Sequence, residues 1–183
     1  MPLAMVSPPA VPTQPRFALL KPEDAAELLA FEVAERAWFE RYVEARDPRF
    51  YCPQGAVKHI IECLSLHAQN RMLPLLIRCR EGRLIGRANL KQIDQTRGTA
   101  QVGYRLARNA CGRGIAQKAL RHLLKEARCT YGLHLLSAYA SVENPASQRV
   151  LEKAGFKARQ KLPGHSLVAG QRLDCWAYQC KLG

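Results

Sequence analysis

The sequence predicts an α/β (α+β) domain organised on one mixed, largely antiparallel β-sheet. Three observations carry that prediction. Seven short apolar runs bounded by Gly, Pro or polar turns read as strands. Four stretches place apolar residues at helical spacing. In order, the chain reads strand, helices, a three-strand meander, then helix–strand–helix–strand–strand, which gives one sheet both parallel and antiparallel neighbours.

The first strand is Arg16–Leu20. Lys21-Pro22-Glu23-Asp24 opens a helix with proline and acids in its first turn, and Ala25, Leu28, Leu29 and Phe31 continue it. A second helical piece is expected over Arg36–Ala45, with Trp38, Phe39 and Tyr42 as an aromatic face. Asp47–Gly55 reads as a loop, and a helix follows over Ala56–Gln69 with Val57, Ile60, Ile61 and Leu64 as its buried stripe. Pro74–Arg80 and Leu84–Leu90 form a hairpin around Glu81-Gly82, and Thr99–Leu106 is the next strand. A strongly amphipathic helix begins near Ile115. Ile115, Ala119, Leu120, Leu123, Leu124 and Ala127 line one side, and Lys118, Arg121, His122, Lys125 and Arg128 the other. Leu133–Val142 is a strand, Pro145–Ala154 a helix stopped by Gly155, and Phe156–Leu162 and Leu173–Leu182 close the sheet through Pro163-Gly164 and Gly170.

Residues 1–14 hold four prolines and no charge and are expected to be an unpaired leader, with residues 15–183 as one domain. No run is long and apolar enough for a membrane span, and no signal peptide is evident, so a cytoplasmic protein without membrane partners is expected. Seven cysteines lie singly, without C-x-x-C spacing. That pattern argues against a disulfide framework or a metal site and suits reduced thiols. A formal charge of +13 favours anionic partners and disfavours polycationic substrates, without a basic-aromatic signature of its own.

The centre of the chain is Gln101–Leu120, where a strand runs into Cys111-Gly-Arg-Gly-Ile-Ala116 and then the amphipathic helix. Two glycines bend the backbone tightly and bare its amides, and the first helical amides have no intrahelical acceptor. The turn is therefore an anion cradle, suited to a phosphate or pyrophosphate. Cys111, flanked by arginines near a helix start, is expected to have a lowered thiol pKa.

One strand later comes Glu143-Asn144-Pro145-Ala146-Ser147-Gln148-Arg149-Val150-Leu151-Glu152-Lys153-Ala154-Gly155-Phe156. Together with the Gly turn, this block resembles the GNAT superfamily of acyl-CoA N-acyltransferases, in the form found in RimJ/RimL-like ribosomal-protein N-terminal acetyltransferases. The family's turn is Gln/Arg-x-x-Gly-x-Gly/Ala. Gly114 and Ala116 fit it, and Cys111 stands where Gln or Arg is usual.

The resemblance implies helices on both sheet faces, two parallel strands splaying apart at the centre, and acetyl-CoA as cosubstrate. The splaying pair would be Thr99–Leu106 and Leu133–Val142. Arg108, Cys111, Gly112, Arg113, Gly114, Ile115 and Ala116 would surround the pyrophosphate, mainly through backbone amides. Asn144 would bind the pantetheine arm, or cap the helix from Pro145, or both. Backbone groups near Tyr104 and Leu106 would pair with the arm and polarise the thioester carbonyl. The tyrosine acid of many relatives is replaced by Leu151, so Ser147 would be the proton relay, or would cap the helix locally. The usual strand glutamate is replaced by Gln101, which leaves no base identified, with His165 or Ser166, before the last strand, as the groups expected to reach the acceptor. Glu32 on the early helices would attract an amine, and Trp38 and its aromatic neighbours would wall the acceptor site.

The implied acceptor is a protein N-terminal α-amine, with a small amine or amino acid as the alternative. A non-catalytic CoA-binding or ribosome-associated, RNA-binding module is the reading from another class. Monomer and homodimer are both open.

Overall fold

The computed structural model describes residues 14–183, so nearly all of the expected leader lies outside the described residues. One seven-stranded sheet has the order β1-β2-β3-β4-β5-β7-β6. Its strands are β1 Arg16–Leu19, β2 Met72–Arg78, β3 Leu84–Asp94, β4 Thr99–Leu106, β5 Leu135–Ser141, β6 Lys157–Val168 and β7 Gln171–Lys181. The helices are α1 Ala25–Ala34, α2 Arg36–Phe39, α3 Pro53–Ala68, α4 Ile115–Cys129 and α5 Pro145–Lys153. Every neighbouring pair is antiparallel except β4–β5.

That exception sets the architecture. β4 and β5 pair only at Thr99–Leu135, Ala100–Leu136 and Gln101–Ser137, although β4 continues to Leu106 and β5 to Ser141. Beyond Gln101 and Ser137 the two strands diverge and leave a wedge in mid-sheet.

Strand alternation sorts the side chains to opposite faces. Val102, Tyr104 and Leu106 of β4 point toward α4 and α5, and Tyr104 reaches Ser147 of α5. Gln101 and Arg105 point toward the early helices, and Arg105 reaches Glu32 of α1. The core between sheet and α4 is closed by Ile115, Ala119, Leu120, Leu123 and Ala127, all buried. Burying Leu120 and Leu123 contributes roughly 2 kcal/mol each. On the polar side of α4, His122 is stacked on Phe17 of β1, with ring centroids 4.6 Å apart.

Three elements differ from expectation in ways that their contacts explain. α2 stops at Phe39 instead of running to Ala45, because the chain turns back and Arg46 reaches Glu32. A long-range ion pair there outweighs local helix propensity. α3 begins at Pro53, not Ala56: Cys52 caps it by accepting from the Gly55 amide, and Pro53 supplies the first turn. Its buried stripe is Ala56, Ile60 and Cys63, whereas Val57 and Ile61 are 45% and 60% exposed. Small residues let α3 lie close: a Cβ on Gly55 would stand 1.9 Å from the Arg49 carbonyl oxygen. Finally, β6 passes Leu162 and runs to Val168 through an irregularity between Leu162 and Ser166. Asp174 pins that irregularity, accepting from the Gly164 amide at 2.9 Å and pairing with Lys161 at 2.9 Å.

Candidate active site at the β4–β5 wedge

The wedge has a backbone edge. Ala107 donates its amide to Ile85 of β3, which fixes the alternation along β4. Arg105 and Gly103 therefore turn their amides and carbonyls toward β3, and Val102, Tyr104 and Leu106 turn theirs toward β5. Past Gln101 no β5 residue pairs with that edge. The Leu106 carbonyl is held at 3.1 Å by the Trp38 indole N–H, so Trp38 closes the far end of the edge. Tyr42 packs edge-on against Trp38 at 5.8 Å, and the Arg108 guanidinium lies over it at 5.8 Å.

From the wedge the chain passes through a short 3-10 turn, Arg108–Ala110, into the glycine turn. Gly112 and Gly114 both have φ of +73°, a left-handed conformation that costs other residues about 1–2 kcal/mol. A Cβ at either position would meet nothing within 4 Å, so the backbone here fronts open space. The first intrahelical bond runs from the Lys118 amide to the Gly114 carbonyl, which leaves the amides of Ile115, Ala116 and Gln117 without intrahelical acceptors. Ile115 contributes only that amide, because its side chain is 1% exposed in the core. Open space, a bare backbone and the positive end of a fifteen-residue helix together fit a pyrophosphate. We expect Gly114→Ala to weaken acetyl-CoA binding by about tenfold, through the left-handed strain and the added methyl. Calorimetric titration reads this, and an unchanged Kd would remove the turn from the site.

Cys111 departs from expectation. Its thiol is pushed above the usual cysteine range by burial, and next by the Glu35 carboxylate. The reason is positional: α4 starts four residues later, and the Cys111 Sγ donates to the Ala107 carbonyl at 3.4 Å. Cys111 should therefore label more slowly at neutral pH than an ordinary cysteine, as site-resolved mass spectrometry would record.

Asn144 and Ser147 lie together at the start of α5. The Ser147 amide donates to Asn144 Oδ1 at 3.0 Å, a helix cap. The Asn144 amide nitrogen donates to no group among the described residues. The Ser147 hydroxyl lies 2.9 Å from the Tyr104 hydroxyl, and either can be donor. Burial pushes the Tyr104 phenol above its usual range, opposed by the Ser147 hydrogen bond. Sequence reasoning selected Tyr104 for its backbone and missed its side chain. The signal was available, because even-numbered β4 positions face α5. Two glutamines were also missed. Gln148 donates to the Ser141 and Val142 carbonyls at the end of β5, and Gln117, with its amide oriented to satisfy both partners, bridges α4 to Val150 and Ala154 of α5.

The opposite face of β4 carries charge. Glu32 is 0% exposed and accepts four hydrogen bonds: two from Arg46, one from Arg87 and one from Arg105, at 2.9–3.1 Å. This corrects the expectation that Glu32 attracts an amine, since its carboxylate is sealed under three guanidiniums. Burial alone would raise its pKa, but Arg105, Arg46 and Arg87 outweigh burial and hold it at about 2. Arg87 also donates to His59 Nε2 at 2.9 Å, so that nitrogen carries no proton. Burial, reinforced by Arg87, holds the His59 pKa down to about 3.

Other expected residues lie along the same region. Gln101 sits where β4 and β5 part, opposite Lys91 and Ser137. Asn89 lies over Gly103, and its Oδ1 is a buried atom without a hydrogen-bond partner. His165 is exposed and packs at a tilt against Tyr139 of β5, with ring centroids 4.7 Å apart. The Ser166 hydroxyl lies 3.2 Å from Cys175 Sγ, on a half-buried contact with β7. An apolar groove formed by Pro53, Val57 and Ile61 is on the outer side of α3 and is separate from the wedge.

Residues 16–157 match the family described as "Acetyltransferase (GNAT) domain". The chain is similar to "Probable N-acetyltransferase YjcK" of Bacillus subtilis (strain 168), 33% identical over 141 residues, or 75% of this chain and 77% of that one. It is also similar to "Uncharacterized N-acetyltransferase p20" of Bacillus licheniformis, 27% identical over 119 residues, or 65% of this chain; that match takes in 66% of p20's length. Among solved structures, ribosomal-protein-S5-alanine acetyltransferase from Vibrio fischeri superposes with a TM-score of 0.87 at 20% identity, covering 92% of this chain and 93% of that one. RimL, described as a ribosomal L7/L12 α-N-protein acetyltransferase in complex with coenzyme A, gives 0.86 at 19% identity, covering 94% and 96%. With a parallel pair splayed at mid-sheet, a left-handed glycine turn opening the next helix, and a family match over most of its length, this chain belongs to the GNAT acetyltransferases.

Proposed function

We propose that the protein transfers an acetyl group from acetyl-CoA to a primary amine, and that the acceptor is the α-amine of a protein N-terminus. The observation that carries this reading is the open β4 edge of Val102, Tyr104 and Leu106, which lies between the glycine turn and the Tyr104–Ser147 hydroxyl pair. The cosubstrate supplies an activated thioester carbonyl. The amides around Arg113, Gly114, Ile115 and Ala116 hold its pyrophosphate, with Arg108 and Arg113 as neighbouring cations. Asn144 donates to the pantetheine arm with its free amide nitrogen while its oxygen caps α5. Amides of Tyr104 and Leu106 are the fixed donors for charge developing on the carbonyl oxygen.

Ser147 passes its proton to the departing sulfur, the Tyr104 phenol resupplies Ser147, and the proton that the attacking amine releases to water restores the phenol. Burial keeps the phenol protonated at neutral pH, as this role requires. Gln101 takes no proton at neutral pH. An α-amine with a pKa near 8 is partly neutral already, so attack needs no strong base. Trp38, Gln101 and His165 bound the acceptor's approach in this reading, and Ser166 supports the β6–β7 wall.

A peptide acceptor is supported by the structural likeness to enzymes described as acting on ribosomal proteins, and by the +13 charge, which suits a ribosome-bound substrate. The surplus of arginine around Glu32 weighs against polyamines. Seven free cysteines suit the cytoplasm, and no helix among the described residues is long and apolar enough to cross a membrane.

The test is release of CoA from acetyl-CoA with a panel of N-terminal peptides, free amino acids and polyamines. Peptides should give the highest kcat/KM by at least tenfold, reflecting contacts beyond the amine. Preference for a metabolite would overturn the acceptor, and binding of CoA with no turnover on any acceptor would overturn the enzyme.

A further inference from the structure

Three guanidiniums share one carboxylate on the β4 face turned away from α4 and α5. The Glu32 oxygens already accept four hydrogen bonds, which fills a carboxylate's capacity. Arg46, Arg87 and Arg105 thus bring three positive charges against one negative. Burial pushes the Arg105 pKa down to about 10; Glu32 opposes that shift, and Arg46 and Arg87 add to it. His59, held neutral, adds no further positive charge.

This surplus is not sealed in. The Arg105 and Arg46 side chains are 24% and 19% exposed, whereas Glu32 is 0% exposed. Arg105 spends one N–H on Glu32 and rests its guanidinium 5.0 Å over the Phe39 ring. Four of a guanidinium's five donors are left after that single bond. Arg105 also stands between Tyr104 and Leu106, the two residues whose amides face the wedge. A group held by Arg105 would therefore sit on the amine's side of the sheet, within one side chain's length of the transfer point.

We propose that this arginine cluster recognises a carboxylate on the acceptor, so that the preferred substrate is a primary amine carrying an acidic group on the same residue. The inference rests on the acetyl-transfer reading above and names the substrate class of that site. Two sources share the chemistry: a peptide beginning with Asp or Glu, and a free acidic amino acid. The added carboxylate would bring the local charge from +2 toward +1 and occupy donors that Glu32 leaves open. Arg105 is then a specificity-determining residue, with Arg46 beside it.

The experiment measures binding to the CoA-loaded protein by fluorescence anisotropy. The probes are three dye-labelled peptides: one beginning with Asp, its Asn isostere, and one with the Asp moved to the fifth position. The first-position acid should bind about tenfold more tightly than the Asn isostere, the scale of a charge-assisted hydrogen bond. The fifth-position acid has the same net charge and should lose most of that advantage, which separates local recognition from attraction to a basic surface. Arg105→Gln should bring the ratio close to one. Free aspartate against asparagine, run as competitors, tells amino acid from peptide. Equal binding of Asp- and Asn-first peptides, no measurable binding of either, an equal advantage for the displaced acid, or a ratio that survives Arg105→Gln would each overturn the inference. Should Arg105→Gln fail to fold, the first-position against fifth-position comparison decides alone. Turnover is measured in parallel: acidic preference without acetyl transfer sinks the transfer reading alone, and transfer without preference sinks only this one.

Discussion

Ser147→Ala should lower kcat about 100-fold while changing the Kd for acetyl-CoA by no more than about twofold, the split expected when a proton relay is lost and cosubstrate contacts stay. The physical basis is the division of labour within one residue. The Ser147 amide, which Asn144 caps, survives the substitution, so α5 and the Asn144 side chain keep their places. The hydroxyl, 2.9 Å from the Tyr104 phenol, is what disappears. Tyr104→Phe should cost less, about tenfold, because Ser147 can still donate directly or through water. The pH profile separates chemistry from packing. In the wild type, the rate should climb through the amine pKa near 8 and hold above it, because burial keeps the Tyr104 phenol protonated beyond its usual range. An undiminished kcat in Ser147→Ala would reduce the pair to a structural contact.

Glu32→Gln is expected to be the most destabilising single change in the early helices, about 3–5 kcal/mol, since removing the charged partner strands buried arginines. For a chain of this size that lowers Tm by about 10 °C in a calorimetric scan. Glu32 also carries an acid signature. Its folded pKa of about 2 lies below the ordinary glutamate value of 4.5, so the unfolded chain binds the proton more readily. The stabilisation is full above about pH 5 and is lost as pH falls through the folded pKa, an effect of about 3 kcal/mol. His59 acts over a neighbouring window. With a folded pKa of about 3 against 6.5, it favours the folded state above pH 6.5 and withdraws that support as pH falls toward 3. Unfolding free energy measured against pH should therefore decline from about 6.5 downward, and Glu32→Gln should flatten the lower part of that curve. A superimposable curve would show that Glu32 is not held ionised by its arginines.

These two residues mark what the sequence made legible. The placement of Ser147 at a helix start was readable because Asn144-Pro145 opens a helix, and local patterns survive translation into structure. β4 and α4 were likewise given by period-two and 3.6-residue spacing, and the wedge by the resemblance those motifs carry. Glu32 was not readable. Its partners Arg46, Arg87 and Arg105 are 14, 55 and 73 residues away, on a loop, β3 and β4, and only the packed sheet brings them together. The same long-range pull ended α2 early. The α3 stripe was misjudged for another reason: Ala56 and Cys63 are small, and close approach of backbone buried them in preference to the larger Val57 and Ile61. Cys111 shows that flanking arginines alone do not set a thiol's pKa; burial, and next Glu35, distant in sequence, raise it.

The most direct measurement is the site of acetylation on a peptide that bears both a free N-terminus and an internal lysine, incubated with the protein and acetyl-CoA and sequenced by tandem mass spectrometry. The account predicts one acetyl group on the α-nitrogen, formed in step with released CoA and strongly reduced in Ser147→Ala. Acetylation confined to the lysine, or CoA bound with no acetylated peptide at all, would contradict it.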